Sequence, residues 1–343
     1  MSILLAILGL ALLIVVHEGG HFLAARLCGM RVERFSIGFG KPLVAVKRGD
    51  TIYQIAPIPL GGFVQITGLN PHEEFDHDDP YVYPNRPSWM RFAVLAAGPA
   101  ANYVTAVILA VAMFIGFGKI VAGVGEVLPD TPAAASGLKA GDALMEANGK
   151  ALDQTTNISD VVSASKGQPV TLKIRRDGQI KELVITPEMN KEAGVYRIGI
   201  VTGPAFSPVP VGQAVQEALA LPVVLTGQML SGMWDMIVGK QPANLSGPVG
   251  IARVMANAAE QGAVYFLRLL MLLSIYLGLF NLLPLPGLDG GRILFVGINS
   301  LPIKQVSAKT EAAVHMVGIL LLLGVFVLVT FNDIKQIVVR MIN

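Results

Sequence analysis

The sequence predicts a polytopic α-helical membrane protein with four transmembrane helices, a membrane-associated β-hairpin or small sheet, and one inserted α+β domain. Three observations carry that expectation. Of 343 residues, 53% are hydrophobic and only 15% charged, where soluble domains carry about 25% charged residues. Apolar stretches of the roughly 20 residues needed to cross a hydrocarbon core recur four times. Between them, two regions change to the two-residue alternation of strands.

The first span covers residues 2–25. Residues 1–16 carry no charge. With no positive n-region and no small-residue cleavage site, the span is expected to be retained. Within it, Val15-Val-His-Glu-Gly-Gly-His-Phe22 contains H-E-x-x-H at His17, Glu18 and His21. Positions four apart share a helix face, so two imidazoles can meet at one metal ion. Glu18, offset by about 100° around the axis, stands where a carboxylate can activate water. Ionisable groups in an apolar span cost roughly 2.5–3.5 kcal/mol each on insertion scales, and a shared metal explains three together. Gly19 and Gly20 permit close approach, either of a chain to the metal or of a neighbouring helix.

Residues 30–68 alternate in period two: Arg31 to Gly38, Leu43 to Arg48, and Thr51 to Ile55 after an Arg48-Gly-Asp50 turn, then Gly61 to Gly68. This sheet is expected to dip into the membrane and to offer an edge to an extended substrate. Residues 70–88 hold Glu73, Glu74, Asp76, Asp78, Asp79, His72 and His77, and their Pro-rich setting reads as a solvated loop. The second span, Phe92 to Gly118, includes Ala97-Gly-Pro-Ala-Ala-Asn102. Its small residues suit close helix packing, and Asn102 needs a partner, either a substrate backbone or a neighbouring helix.

Residues 119–203 read as a soluble domain. Strands are expected at Gly123–Leu128, after Gly141, at Val170–Arg176, at Gln179–Thr186 and at Tyr196–Val201. Helices are expected at Ala133–Gly137 and Ile158–Ser165, and Asp177-Gly178 marks a hairpin. That order, with Gly137-Leu-Lys-Ala-Gly-Asp142, resembles a PDZ domain. The resemblance implies capture of a peptide by strand addition. Residues 211–240, with Val215, Leu219, Val223, Met229, Met233 and Ile237 near one face, read as an interfacial amphipathic helix. Asn244-Leu-Ser-Gly-Pro-Val-Gly-Ile251 turns into another short helix. The third span starts near Ala263 and runs into Asn281-Leu-Leu-Pro-Leu-Pro-Gly-Leu-Asp-Gly-Gly-Arg292. Pro284, Pro286 and Gly287 break the helix, so backbone there must line a cavity or be buried. Asp289 is then a candidate third metal ligand. The fourth span covers Ala312 to Asn332, with His315 as an interface histidine and an amphipathic tail after it. The chain thus divides into 1–118, 119–203, 204–262 and 263–343.

Arg26, Arg31, Arg34, Arg86 and Arg91 flank the first loop, and Arg292, Lys304 and Lys309 the third. The positive-inside rule puts both loops in the cytoplasm and the soluble domain outside. The H-E-x-x-H end of span one and Asp289 then share one depth. The net charge of +2 gives no basis for a nucleic-acid partner, and none is expected. The single Cys28 excludes internal disulfides and cysteine metal clusters.

Together, H-E-x-x-H in the first span, the PDZ-like domain, and Asn281-x-x-Pro-x-Pro-x-Leu-Asp-Gly290 resemble the bacterial site-2 proteases of the regulator-of-sigma-E type. Ala97–Asn102 and Asn244–Ile251 resemble family signatures too. The resemblance implies an intramembrane zinc metalloprotease of the inner membrane. It implies Zn2+ bound by His17, His21 and Asp289, Glu18 as base, and a substrate strand held by Asn281 with Pro284 and Pro286. The implied partners are the lipid bilayer and single-pass membrane proteins already shortened by another protease. These would be anti-sigma factors in regulated intramembrane proteolysis during stress, or remnant signal peptides. The sequence has room for one PDZ-like domain where the enterobacterial type has two. A rival reading is a non-catalytic membrane adaptor with a structural metal site. A transporter fits less well, because the two halves show no paired repeat.

Overall fold

A computed structural model describes residues 1–70, 73–76, 78–152, 157–190, 194–242, 247–302 and 306–342, without the side chains of 59, 60 and 336–342. His72, His77 and Lys304 lie outside the described residues, as do Asn244, Leu245 and Ser246 of the turn expected before Pro248. The chain forms two compact units, Met1–Ala110 with Ala218–Asn343, and Val111–Glu217.

In the first unit, α1 (Ser2–Leu27) buries Ala6, Gly9, Leu13, His17, His21 and Ala25. Their spacing of three or four residues makes one face. The opposite side, with Leu4, Leu8, Leu12 and Leu23, is exposed and equally apolar, as a membrane helix requires. Then β1 (Val32–Phe39), β2 (Val44–Arg48), β3 (Thr51–Ile55) and β4 (Ile58–Ile66) form a sheet in the order β2-β3-β1-β4. β2 and β3 are the expected hairpin, with Arg48 opposite Thr51. β4 is an edge strand, antiparallel to β1, and packs on α1. Helix α2 (Ser88–Gly116) contains Pro99 and starts four residues before the expected span.

The second unit holds β5 (Lys119–Val127), α3 (Pro132–Ala135), β6 (Ala143–Ala147), β7 (Lys150–Ala151), α4 (Ile158–Ala164), β8 (Val170–Arg176), β9 (Gln179–Ile185), β10 (Glu188–Asn190), β11 (Val195–Arg197) and β12 (Ile200–Ser207). Its main sheet runs β12-β5-β6-β8-β9, with β7 beside β6. The β8–β9 hairpin turns at Asp177 and Gly178, both with positive φ, the backbone such two-residue turns demand. The expected last strand at Tyr196–Val201 is divided. Val195–Arg197 pairs with Glu188–Asn190, while Ile200–Ser207 pairs with β5 as far as Ser207 opposite Lys119. The break falls at Gly199, where φ is +83°. Val124, Leu144, Val170, Leu172, Ile174 and Ile185 form the core.

The chain continues with α5 (Val211–Ile237), α6 (Pro248–Gln261), α7 (Ala263–Leu282), α8 (Asp289–Asn299) and α9 (Ala308–Ile342). Among the described residues, four helices are long and apolar enough to cross a membrane: Ser2–Leu27, Ser88–Gly116, Ala263–Leu282 and Ala308–Lys335. The helix of the fourth continues through the expected tail, because no breaker residue interrupts Asp333 to Ile342. Asp333 accepts a hydrogen bond from the Gly250 N–H at 2.7 Å, tying α9 to the first turn of α6. The break between α7 and α8 covers residues 283–288, where Pro284, Pro286 and Gly287 stand.

Candidate metal centre

His17 and His21 lie on the buried face of α1, and Asp289 is the first residue of α8. His17 Nε2, His21 Nε2 and Asp289 Oδ2 are each 3.2 Å from the other two. In a tetrahedral zinc site with bonds of about 2.0 Å, ligand atoms stand about 3.3 Å apart. The three atoms therefore match one face of such a tetrahedron. Two imidazoles and a carboxylate are also a donor set that zinc accepts.

The second nitrogens of both rings are engaged. His21 Nδ1 donates to the Val94 carbonyl at 2.8 Å, which leaves the Nε2 lone pair for a metal. His17 Nδ1 faces the Asn102 side-chain amide at 3.0 Å, and Asn102 Oδ1 has no hydrogen-bond partner among the described residues. Turning that amide lets Oδ1 accept from Nδ1–H and frees Nε2 of His17 in the same way. Ser274 on α7 donates to the Asn102 carbonyl at 2.8 Å. Asn102 thus has a neighbouring helix and a ring as partners.

Glycines allow this approach. A Cβ at Gly98 would overlap the His21 ring, and one at Gly20 would overlap the Ala97 carbonyl. Gly19 has open space beside it. Of the expected pair, Gly20 serves helix packing.

Glu18 is half-buried beside this triangle, with the Val64 backbone of β4 close by. A cavity of about 490 Å³ is lined by His17, Glu18, His21 and Asp289, by Gly62 to Val64 of β4, and by Asn281 and Arg292. Asn281 also donates to the Leu277 carbonyl at 2.9 Å. Pro284 is exposed, and Pro286 lines a separate apolar cavity with Leu285 and α9. The structure brings together the four residues of the two motifs and Asn281, and leaves the two prolines outside this cavity. Sequence reasoning missed Asn102 as a partner of His17. Its signal was an amide in an apolar span, but the partner lies 85 residues away.

A pair of histidines and a carboxylate within one tetrahedral face, with a glutamate beside them, are a donor set suited to a metal-dependent hydrolase. The model of peptidase family M50 matches residues 5–325. A Clostridium perfringens protein described as a "Putative zinc metalloprotease" is 35% identical over 97% of this chain and 98% of its own length. A Synechocystis protein with the same description is 38% identical over 96% and 94%. Zinc metalloprotease RasP of Geobacillus kaustophilus is 29% identical over 98% of both chains. The chain belongs to peptidase family M50 and is a zinc metalloprotease.

Proposed function

We propose that this protein hydrolyses peptide bonds within or beside the transmembrane segments of single-pass membrane proteins. The observation that supports this most is the position of the triangle and Glu18: His17, Glu18 and His21 sit on a helix with membrane-spanning length and composition, Asp289 opens the short helix that follows another such helix, and the four line a cavity bordered by an edge strand. His17, His21 and Asp289 hold the zinc ion. When bound, zinc supplies a Lewis acid that acidifies water and polarises a peptide carbonyl. Glu18 takes a proton from the attacking water and returns it to the leaving amine. Glu18 lines the cavity beside the two histidines and Asp289.

A transmembrane substrate hides its carbonyls in its own helix and must unwind to be cut. Pairing with the free edge of β4 compensates for the lost backbone bonds. The Asn281 amide, which lines the cavity, holds the other side of that strand. The PDZ-like unit lies outside the inner membrane and captures a peptide end of a precleaved substrate. Anti-sigma factors and signal-peptide remnants are the substrate classes this reading favours, in regulated intramembrane proteolysis.

The test is reconstitution in vesicles with a single-pass substrate, followed by mass spectrometry of the products. Cut bonds inside the apolar segment are expected. Cuts only in soluble parts remote from the apolar segment would overturn this reading.

A further inference from the structure

We propose that His315 of α9 is a positioning residue of the metal centre, holding the turn that aims Asp289. The inference rests on Asp289 being a zinc ligand. His315 is buried, with 8% exposure. Its Nδ1 accepts a hydrogen bond from the Gly287 backbone N–H at 2.9 Å. On the far side of Asp289, a Cβ at Gly291 would lie 3.2 Å from His315 Cε1. The Phe295 ring is 5.5 Å from the imidazole between centroids. One ring therefore bonds the chain two residues before Asp289 and lies close to the chain two residues after it.

The backbone is shaped for this contact. Gly287 has φ +93°, a conformation that favours glycine. A Cβ at Gly318 of α9 would overlap the Pro286 carbonyl, so α9 meets the broken segment backbone to backbone. Pro284 and Pro286 bring no N–H of their own, and the segment has few donors with which to anchor itself. The His315 acceptor fills that need. Because Nδ1 accepts, the ring is neutral with its proton on Nε2, and Nε2 has no hydrogen-bond partner among the described residues. A histidine kept only for packing would gain nothing from a buried donor left unmatched.

Three variants of the full chain separate positioning from packing. His315→Asn keeps an acceptor near the Nδ1 position but loses the ring. His315→Leu keeps bulk but loses the acceptor. His315→Gln displaces the acceptor along the side chain and stands in if the leucine variant fails to fold. The readouts are zinc release to a chelator and deuterium exchange at the Gly287 amide. Release about tenfold faster is expected for Leu and Gln, as for other outer partners of metal ligands, with Gly287 protection lost. The asparagine variant is expected to stay near wild type in both. Asparagine no better than leucine, or leucine equal to wild type, would overturn the inference. Wild-type protein without zinc would remove the metal-centre reading itself, and Gly287 exchange would still report whether His315 holds the turn.

Discussion

In the inserted unit the buried core is aliphatic, built from residues such as Leu144, Leu172 and Ile174, and its buried Asp142 is matched by Arg176 at 2.6 Å. In the helical unit the outward faces are as apolar as the inward ones, while His17, His21, Asn102, Ser274 and His315 are all buried. Apolar burial therefore says which way a residue points in the β unit, where water lies outside. In the helices it says little, because lipid and protein interior are alike, and buried polar groups mark the inside instead. The β unit is held by packing; the helical unit gathers several of its buried polar groups around one site.

Substitutions sharpen that contrast. Glu18→Gln should cost about 10²–10⁴-fold in peptide hydrolysis, the range of general acid–base catalysis, with zinc content unchanged; kinetics beside metal analysis check both. Asn102→Leu should weaken zinc retention about 10–100-fold by releasing the His17 ring, measured by competition with a chelator. Leu172→Ala should destabilise the β unit by about 2–5 kcal/mol in an unfolding titration and leave zinc retention as it was, since every ligand lies in the other unit. The smallest effect concerns Glu217, whose carboxyl is held below its ordinary value chiefly by a hydrogen bond from Lys119 at 2.8 Å. A lowered carboxyl contributes stability above its unfolded value and loses it as pH falls through the folded one. Glu217→Gln should therefore remove less than about 1 kcal/mol near neutral pH and nothing in acid, read from melting curves across pH.

Much of this was legible in the sequence for a physical reason. Strands at Val170–Arg176 and Gln179–Ile185 follow from alternation and an Asp-Gly turn. The helix break follows from Pro284, Pro286 and Gly287. The meeting of His17, His21 and Asp289 was legible because charges in apolar spans need partners and the loop charges placed both motifs at one depth. What was hidden is contact without a local pattern: Asn102 on His17, Gly98 under His21, Gly287 on His315. Each joins residues 28 or more apart in sequence, and no periodicity encodes which helix faces which. The split at Gly199 was hidden because a positive φ at glycine leaves the apolar alternation around it intact.

The most direct test of the central claim is X-ray absorption at the zinc edge on the purified full chain, with zinc counted per protein. One zinc is expected, with nitrogen and oxygen ligands at about 2.0–2.1 Å and the scattering of two imidazoles, one of which disappears in His17→Ala. A sulfur ligand, a spectrum unchanged in His17→Ala, or a folded wild type without zinc would contradict it.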